Sequence, residues 1–443
     1  MNFFSLLNIT EIKRNKNNVI ILIILLSWAH QWLSIGSFIS TNYKDFSLNS
    51  ILDYRNQSLF IFVINLIIFF FNREKNIKNN IHFYLWLIPA AYLLGMINLF
   101  IDNYGEKDIY FFWHLTFVLQ MFNSLMIMNN FSKISEVNET LLLRVNFLLI
   151  FTYIIIVIIQ NNFNLKVEYN LNFLNLKIST NINGICRMLS VINIFITSSY
   201  FIKKKNIKIL ILIFIINFLI ISMESRQGIV LISTQLLLII FYCSRNNNLI
   251  KTMFKYFLFL IIIPMCLSFV YKNNAKENRL FLFQGELKHN NLTVNNLTGN
   301  NLTGNNLNTI STGRFDKWEL VSIYIINSKI KNILFGNGPE FDRKIISTGG
   351  NDVANGLIYL LLCGGLLGLF SFLIIIKKYL KILLKIFNNR KNLDNDVYFC
   401  FSICCITSLG LRSLVENGFL VYGVDFLLIT SSFFYVIKKL KLI

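Results

Sequence analysis

The sequence predicts an all-α, polytopic integral membrane protein with about twelve transmembrane helices, on three observations. First, 55% of the 443 residues are hydrophobic and 14% charged, with a mean hydropathy of +0.57. That is too apolar for one soluble core. Second, the apolar residues come in blocks close to the roughly 20 residues that a helix needs to cross about 30 Å of hydrocarbon. Third, the basic residues stand at the ends of these blocks, as membrane topology requires.

The blocks run over residues 18–39, 58–71, 81–101, 109–128, 141–160, 182–202, 207–222, 228–243, 253–271, 354–376, 397–411 and 418–437. They divide the chain into nine helices over 1–271, a long polar segment over 272–353, and three helices over 354–443. Lys13, Arg14 and Lys16 before the first block resemble a signal peptide, but no small-residue cleavage site follows, so the block is read as an uncleaved span. A cytoplasmic N-terminus places Arg73/Lys75/Lys78, Lys203/Lys204/Lys205/Lys208, Arg245/Lys251/Lys255, the Lys377–Lys391 cluster and Lys438/Lys439/Lys441 on one side. Both termini are then cytoplasmic and 272–353 is outside, the asymmetry that the positive-inside rule demands of an inner-membrane protein.

The formal charge of +20 does not imply nucleic acid, because these cations are dispersed over helix ends instead of gathered on one face. All seven Cys (186, 243, 266, 363, 400, 404 and 405) fall inside or at the edge of apolar blocks and read as buried fillers. The outer segment carries a pentapeptide-like repeat from Asn290 to Asn308, too short to stack into a solenoid, and reads as a polar, mobile loop.

Few residues suggest chemistry. Asp394-Asn395-Asp396 has a metal-binding D-x-D form, but no globular domain surrounds it and a solvated turn is the simpler reading. His30, His82, His114 and His289 lack metal-ligand spacing, so neither metal nor cofactor is expected. What remains is arginine near the outer surface: Arg187 in NGICRMLS, Arg226 in ESRQG, Arg314 in STGRFDKWE, and Arg412 with Glu416 in LRSLVENG. A charge at this depth costs a few kcal/mol unless it faces a cavity or a partner. Arg also grips phosphate through two parallel hydrogen bonds. The plainer alternatives are a local pair of Arg226 with Glu224, and of Arg412 with Glu416 one turn on.

The order of three pieces resembles the O-antigen polymerase and O-antigen ligase superfamily. They are ESRQGIVLIS, then GRFDKWELVSIYIINSKIKNILFGNGPEF, then NDVANGLIYLLLCGGLLGLFSFLI. The resemblance covers roughly 110 residues of the second half. It implies a metal-independent glycosyltransferase that moves a growing glycan from undecaprenyl pyrophosphate. It also implies pyrophosphate binding by Arg226, Arg314 and Arg187; Arg412, an arginine at the same outer surface, is a fourth candidate by its own position. Glu416 is the first candidate for the base, with Asp316 and Glu319 behind it. Ligases of the superfamily carry a His before the span after the long loop; Asn355 and Gly356 stand there here, which favours polymerase. The implied partners are the lipid-linked oligosaccharide, membrane lipid, a chain-length regulator and a flippase. The competing readings are O-antigen ligase, a lipid-linked oligosaccharide flippase, and a different extracytoplasmic transferase using Asp45 and Asp53.

Overall fold

The computed structural model of the chain describes residues 18–40, 54–71, 83–101, 109–133, 140–160, 169–173, 176–180, 182–203, 206–222, 226–243, 256–266, 314–342, 345, 355–388, 396–415 and 418–442. Among the described residues, each predicted apolar block overlaps a helix. In chain order these are α1 (Asn18–Ser40), α2 (Tyr54–Phe71), α3 (Phe83–Ile101), α4 (Ile109–Lys133), α5 (Leu141–Gln160), α6 (Ile182–Ile202), α7 (Ile207–Ser222), α8 (Arg226–Cys243) and α9 (256–266). After the long segment, which itself contributes α10 (Arg314–Ile326) and α11 (Ile330–Phe335), come α12 (Gly356–Asn388), α13 (Val397–Val415) and α14 (Val424–Leu442).

The bundle is apolar outside and partly polar inside, the reverse of a soluble protein. Leu22, Phe60, Ile67, Phe100, Ile211 and Phe370 face outward, while Gln31, Asn65, Gln120, Asn123, Asn146, Asn217 and Gln235 are buried. Exposed apolar surface on this scale marks contact with lipid, and interior amides join helices that the hydrophobic effect cannot hold together there. Among the described residues, Tyr84–Ile101, Gly184–Ile202 and Gly356–Ile386 are each long and apolar enough to cross a membrane, and five further apolar helices are shorter. The chain is a membrane protein.

Two kinds of contact hold the helices. Around α1, α2, α4 and α5 the joints are amide hydrogen bonds. Asn146 Oδ1 accepts from the indole nitrogens of Trp28 (2.7 Å) and Trp32 (2.9 Å), and its Nδ2 donates to Ser431. Asn65 donates to Asn123, and Gln120 to Ser58. Asn217, from α7, donates at 2.9 Å to the carbonyl of Leu260 inside α9, where Leu258–Ile262 widen into a π-helical turn.

Around α3, α11 and α12 backbone meets backbone, and one amide, Asn98 of α3, adds bonds to Asn332 Oδ1 at 2.9 Å and to the Gly336 carbonyl at 3.0 Å. Part of the segment read from sequence as a mobile loop is ordered here: α10 and α11 pack on α12, and the turn after α11 enters the bundle. There the N–H groups of Asn337 and Gly338 donate to the carbonyls of Leu362 and Cys363 at 3.0 and 2.9 Å. Those carbonyls are free to accept because α12 breaks at Gly365, which has φ +61°. A Cβ on Gly336 (φ +77°) would lie 2.3 Å from the Cys363 oxygen, and one on Gly95 would lie 2.6 Å from the Gly338 nitrogen. Only glycine permits such approach. The pentapeptide repeat itself lies outside the described residues.

Other expectations are corrected in detail. A two-stranded hairpin, β1 (Tyr169–Phe173) with β2 (Leu176–Thr180), stands between α5 and α6, the rest of the described elements being helical, in antiparallel register from Tyr169↔Thr180 to Phe173↔Leu176. Cys266 is exposed at the end of α9, while Cys186, Cys363, Cys400, Cys404 and Cys405 are buried. Asp396 is no solvated turn: its carboxylate accepts the Phe399 N–H at the start of α13, bonds the Tyr435 hydroxyl at 2.7 Å, and pairs with Lys439 at 3.0 Å. The last predicted span, 418–437, starts about a turn and a half too early. Gly418–Leu420 form a 3₁₀ turn, with Gly418 at φ +46°, before α14 opens at Val424.

Candidate functional site

That late start sets the geometry of the site, because it puts Asp425 in the first turn of α14 instead of mid-span. A carboxylate is favoured beside the N–H groups of a helix start. On α13 the mirror holds, since Arg412 lies in the last turn, where a cation is favoured. The two helices are consecutive and pack together, so the short connection brings these ends side by side. Arg412 pairs with Asp425 through Nη1 and Oδ2. The other oxygen of the same carboxylate, Oδ1, is 3.4 Å from Nη1 of Arg187, on the second turn of α6.

Two guanidinium groups from helices distant in sequence therefore share one carboxylate. The Asp425 side chain is 1% exposed, those of Arg412 and Arg187 11% and 23%. These three groups carry one more positive than negative charge. In a water-poor setting their interaction is far stronger than at a protein surface, and the shared carboxylate orients both guanidiniums.

The connection between α13 and α14 is tied down on several sides. Ser413 Oγ accepts the N–H of Phe419 at 3.0 Å, and Tyr92 of α3 donates to the Leu420 carbonyl at 2.8 Å. Tyr422 donates to the Gln31 carbonyl at 2.7 Å. Gly356, the first residue of α12, stands so close that an added Cβ would lie 1.8 Å from the Ser413 carbonyl. Asn355 before it caps α12, with Oδ1 accepting from the N–H groups of Leu357 and Ile358 at 3.1 and 3.2 Å. Asn355 and Gly356 thus serve as a cap and a close contact.

Tyr92 also meets Tyr359 edge-on, with ring centroids 6.1 Å apart, and the Tyr359 hydroxyl accepts the Glu340 N–H at 3.0 Å. Through these rings the inserted turn after α11 connects with the α13–α14 turn. Glu340 and Asp342 of that turn are buried acids.

Of the residues singled out from sequence, Arg187 and Arg412 come together. Arg226 opens α8 and Arg314 opens α10, with Asp316 in the first turn of α10, but the side chains of these three lie outside the described residues. Glu416 lies outside them altogether, as do the local pairs weighed for Arg226 and Arg412. Sequence reasoning missed Asp425, Glu340 and Asp342. Asp425 had a signal, being an isolated acid within an apolar block. Among the described residues, no three His, Cys, Asp or Glu side chains converge as a metal site.

No protein-family model matches the chain, and neither a curated protein nor a solved structure matches it significantly.

Proposed function

We propose that the protein is a polysaccharide repeat-unit polymerase of a bacterial inner membrane, moving a growing glycan from undecaprenyl pyrophosphate to another lipid-linked repeat unit. The carrying observation is the convergence of Arg187 and Arg412 on the buried carboxylate of Asp425. This is a preoriented, partly desolvated pair of guanidinium groups, the chemistry that binds a pyrophosphate. In this reading twelve helices span the membrane, both termini are cytoplasmic, and the pair faces the outer leaflet.

The reaction needs little more from the protein. The acceptor hydroxyl oxygen attacks the anomeric carbon of the donor sugar as the bond from that carbon to the pyrophosphate oxygen breaks. The hydroxyl proton passes to a carboxylate base, and undecaprenyl pyrophosphate leaves. Arg187 and Arg412 hold the charge that develops on the leaving oxygen, the term fixed dipoles and cations serve best. Arg226 and Arg314 are proposed as further pyrophosphate ligands, with Glu416, then Asp316, as the base. Asn355 and Gly356 are committed to capping and packing, which favours polymerase over ligase.

Arg412→Ala and Arg187→Ala in the living cell test the assignment. The expected result is loss of long glycan chains with single-unit glycan retained, at normal membrane levels of the protein. Undiminished chain length in both variants defeats it. Accumulation of lipid-linked units on the cytoplasmic leaflet in a deletion strain points to a flippase instead.

A further inference from the structure

The far end of α12 is amphipathic in an unusual sense. From Gly356 the apolar run extends to Ile376, about the 20 residues that a bilayer core takes, with the break at Gly365 inside it. Yet α12 continues to Asn388, roughly three more turns, through KKYLKILLKIFN. On its inner face Ile375, Ile382 and Ile386 are between 4% and 9% exposed. Its outer face alternates Leu373, Lys377, Leu380, Lys381 and Leu384, whose leucines are 53%, 53% and 64% exposed. At 100° per residue these five positions fall within about a third of the helix circumference.

This extension is anchored. Lys385 Nζ donates to the Leu440 carbonyl at 3.1 Å, joining the end of α12 to the end of α14. Tyr379 bonds Thr407 on α13. Lys378 rests over the ring of Tyr84 at 4.5 Å, and Lys439 pairs with Asp396. Lys377 and Lys381 differ: both are exposed, and neither has an ion-pair partner among the described residues.

We propose that the stripe Leu373–Leu384 is a binding surface for anionic phospholipid. The leucines dip into the acyl-chain boundary while Lys377 and Lys381 meet the phosphates. Alternating leucine and lysine on one rigid outward face suits this occupant. A protein partner would leave the leucines facing lipid, and a zwitterionic lipid surface would give the two lysines no net countercharge. An anionic bilayer surface attracts each nearby lysine by an amount that multiplies binding several-fold, and leucines beside them add burial. The surface stands at the opposite end of α12 from the arginine pair and holds whatever reaction the protein performs.

The test uses purified full-length protein in detergent, titrated with phosphatidylglycerol and, separately, phosphatidylcholine, and followed by native mass spectrometry and thermal unfolding. Phosphatidylglycerol is expected to bind and raise the unfolding temperature, with both effects weakening as salt increases. Lys377→Gln with Lys381→Gln should lower the affinity roughly tenfold or more without changing unfolding in lipid-free detergent. Lys377→Arg with Lys381→Arg should restore binding. Lys203→Gln with Lys208→Gln, the control at another helix end, should change it little. Equal binding of the two lipids, or undiminished phosphatidylglycerol binding by the double Gln variant, overturns the proposal.

Discussion

The half of the bundle around α1, α2, α4 and α5 and the half around α3, α11 and α12 solve one problem in different ways. In lipid, helices gain little from hiding apolar surface, so something else must bring them together. The first half uses amides that reach across gaps, such as Asn146 between Trp28, Trp32 and Ser431. The second relies mainly on removing side chains until backbones touch, at Gly95, Gly336, Gly338 and Gly365, with the single amide of Asn98 bonded into the contact. Amide joints are separate and each modest in strength, whereas the glycine joint is a single object in which every part depends on the others.

The sharpest way to break that contrast is Gly336→Ala. The added carbon meets the Cys363 backbone at 2.3 Å, in a conformation that glycine alone adopts readily, so a loss above about 4 kcal/mol is expected. Folded yield in mild detergent should collapse; a yield near wild type would mean that the inserted turn is not seated as described. Asp425→Ala comes next. Two guanidinium groups lose their common acceptor, at about 3–5 kcal/mol for a broken buried pair. Unfolding temperature and glycan chain length should both fall, and a loss of neither would remove Asp425 from the site.

Asn146→Ala tests the amide half. It deletes three hydrogen bonds but makes no clash, so about 1–2 kcal/mol is expected, measured as a lower unfolding temperature in a protein that still folds. If it proved as damaging as Gly336→Ala, the distinction between the halves would fail. Smallest is Asn355→Ala, the loss of one helix cap, at about 1 kcal/mol. An Asn355→Asp variant that keeps normal stability would confirm that capping is its task.

The same contrast explains what could be read in advance. Helices were legible because a run of apolar residues is a local property, and the described helices α1–α9 and α12–α14 overlap those runs, though α12 ends twelve residues later and α14 begins six residues later than read. Arg187 and Arg412 were legible because a charge beside hydrocarbon stands out within a few residues of sequence. The inserted turn was not, because FGNGPEF is short and rich in turn-forming glycine and proline, and its burial depends on the break at Gly365 and on Gly95. Neither is nearby in sequence. Asp425 was passed over for a related reason. Local spacing suggested Glu416, four residues on, as the partner of Arg412, while the structure pairs Arg412 with Asp425 across the turn between α13 and α14.

The widened turn at Leu258–Ile262 has a consequence for how such a chain can change length. A π-helical turn accommodates an extra residue within a helix that otherwise keeps its course, and Asn217 steadies it by bonding the Leu260 carbonyl. Removing one residue there would leave a regular helix with its downstream faces pointing as before, whereas the same deletion in α8 would rotate everything beyond it by about 100°. Insertions and deletions in this protein have a built-in place to go.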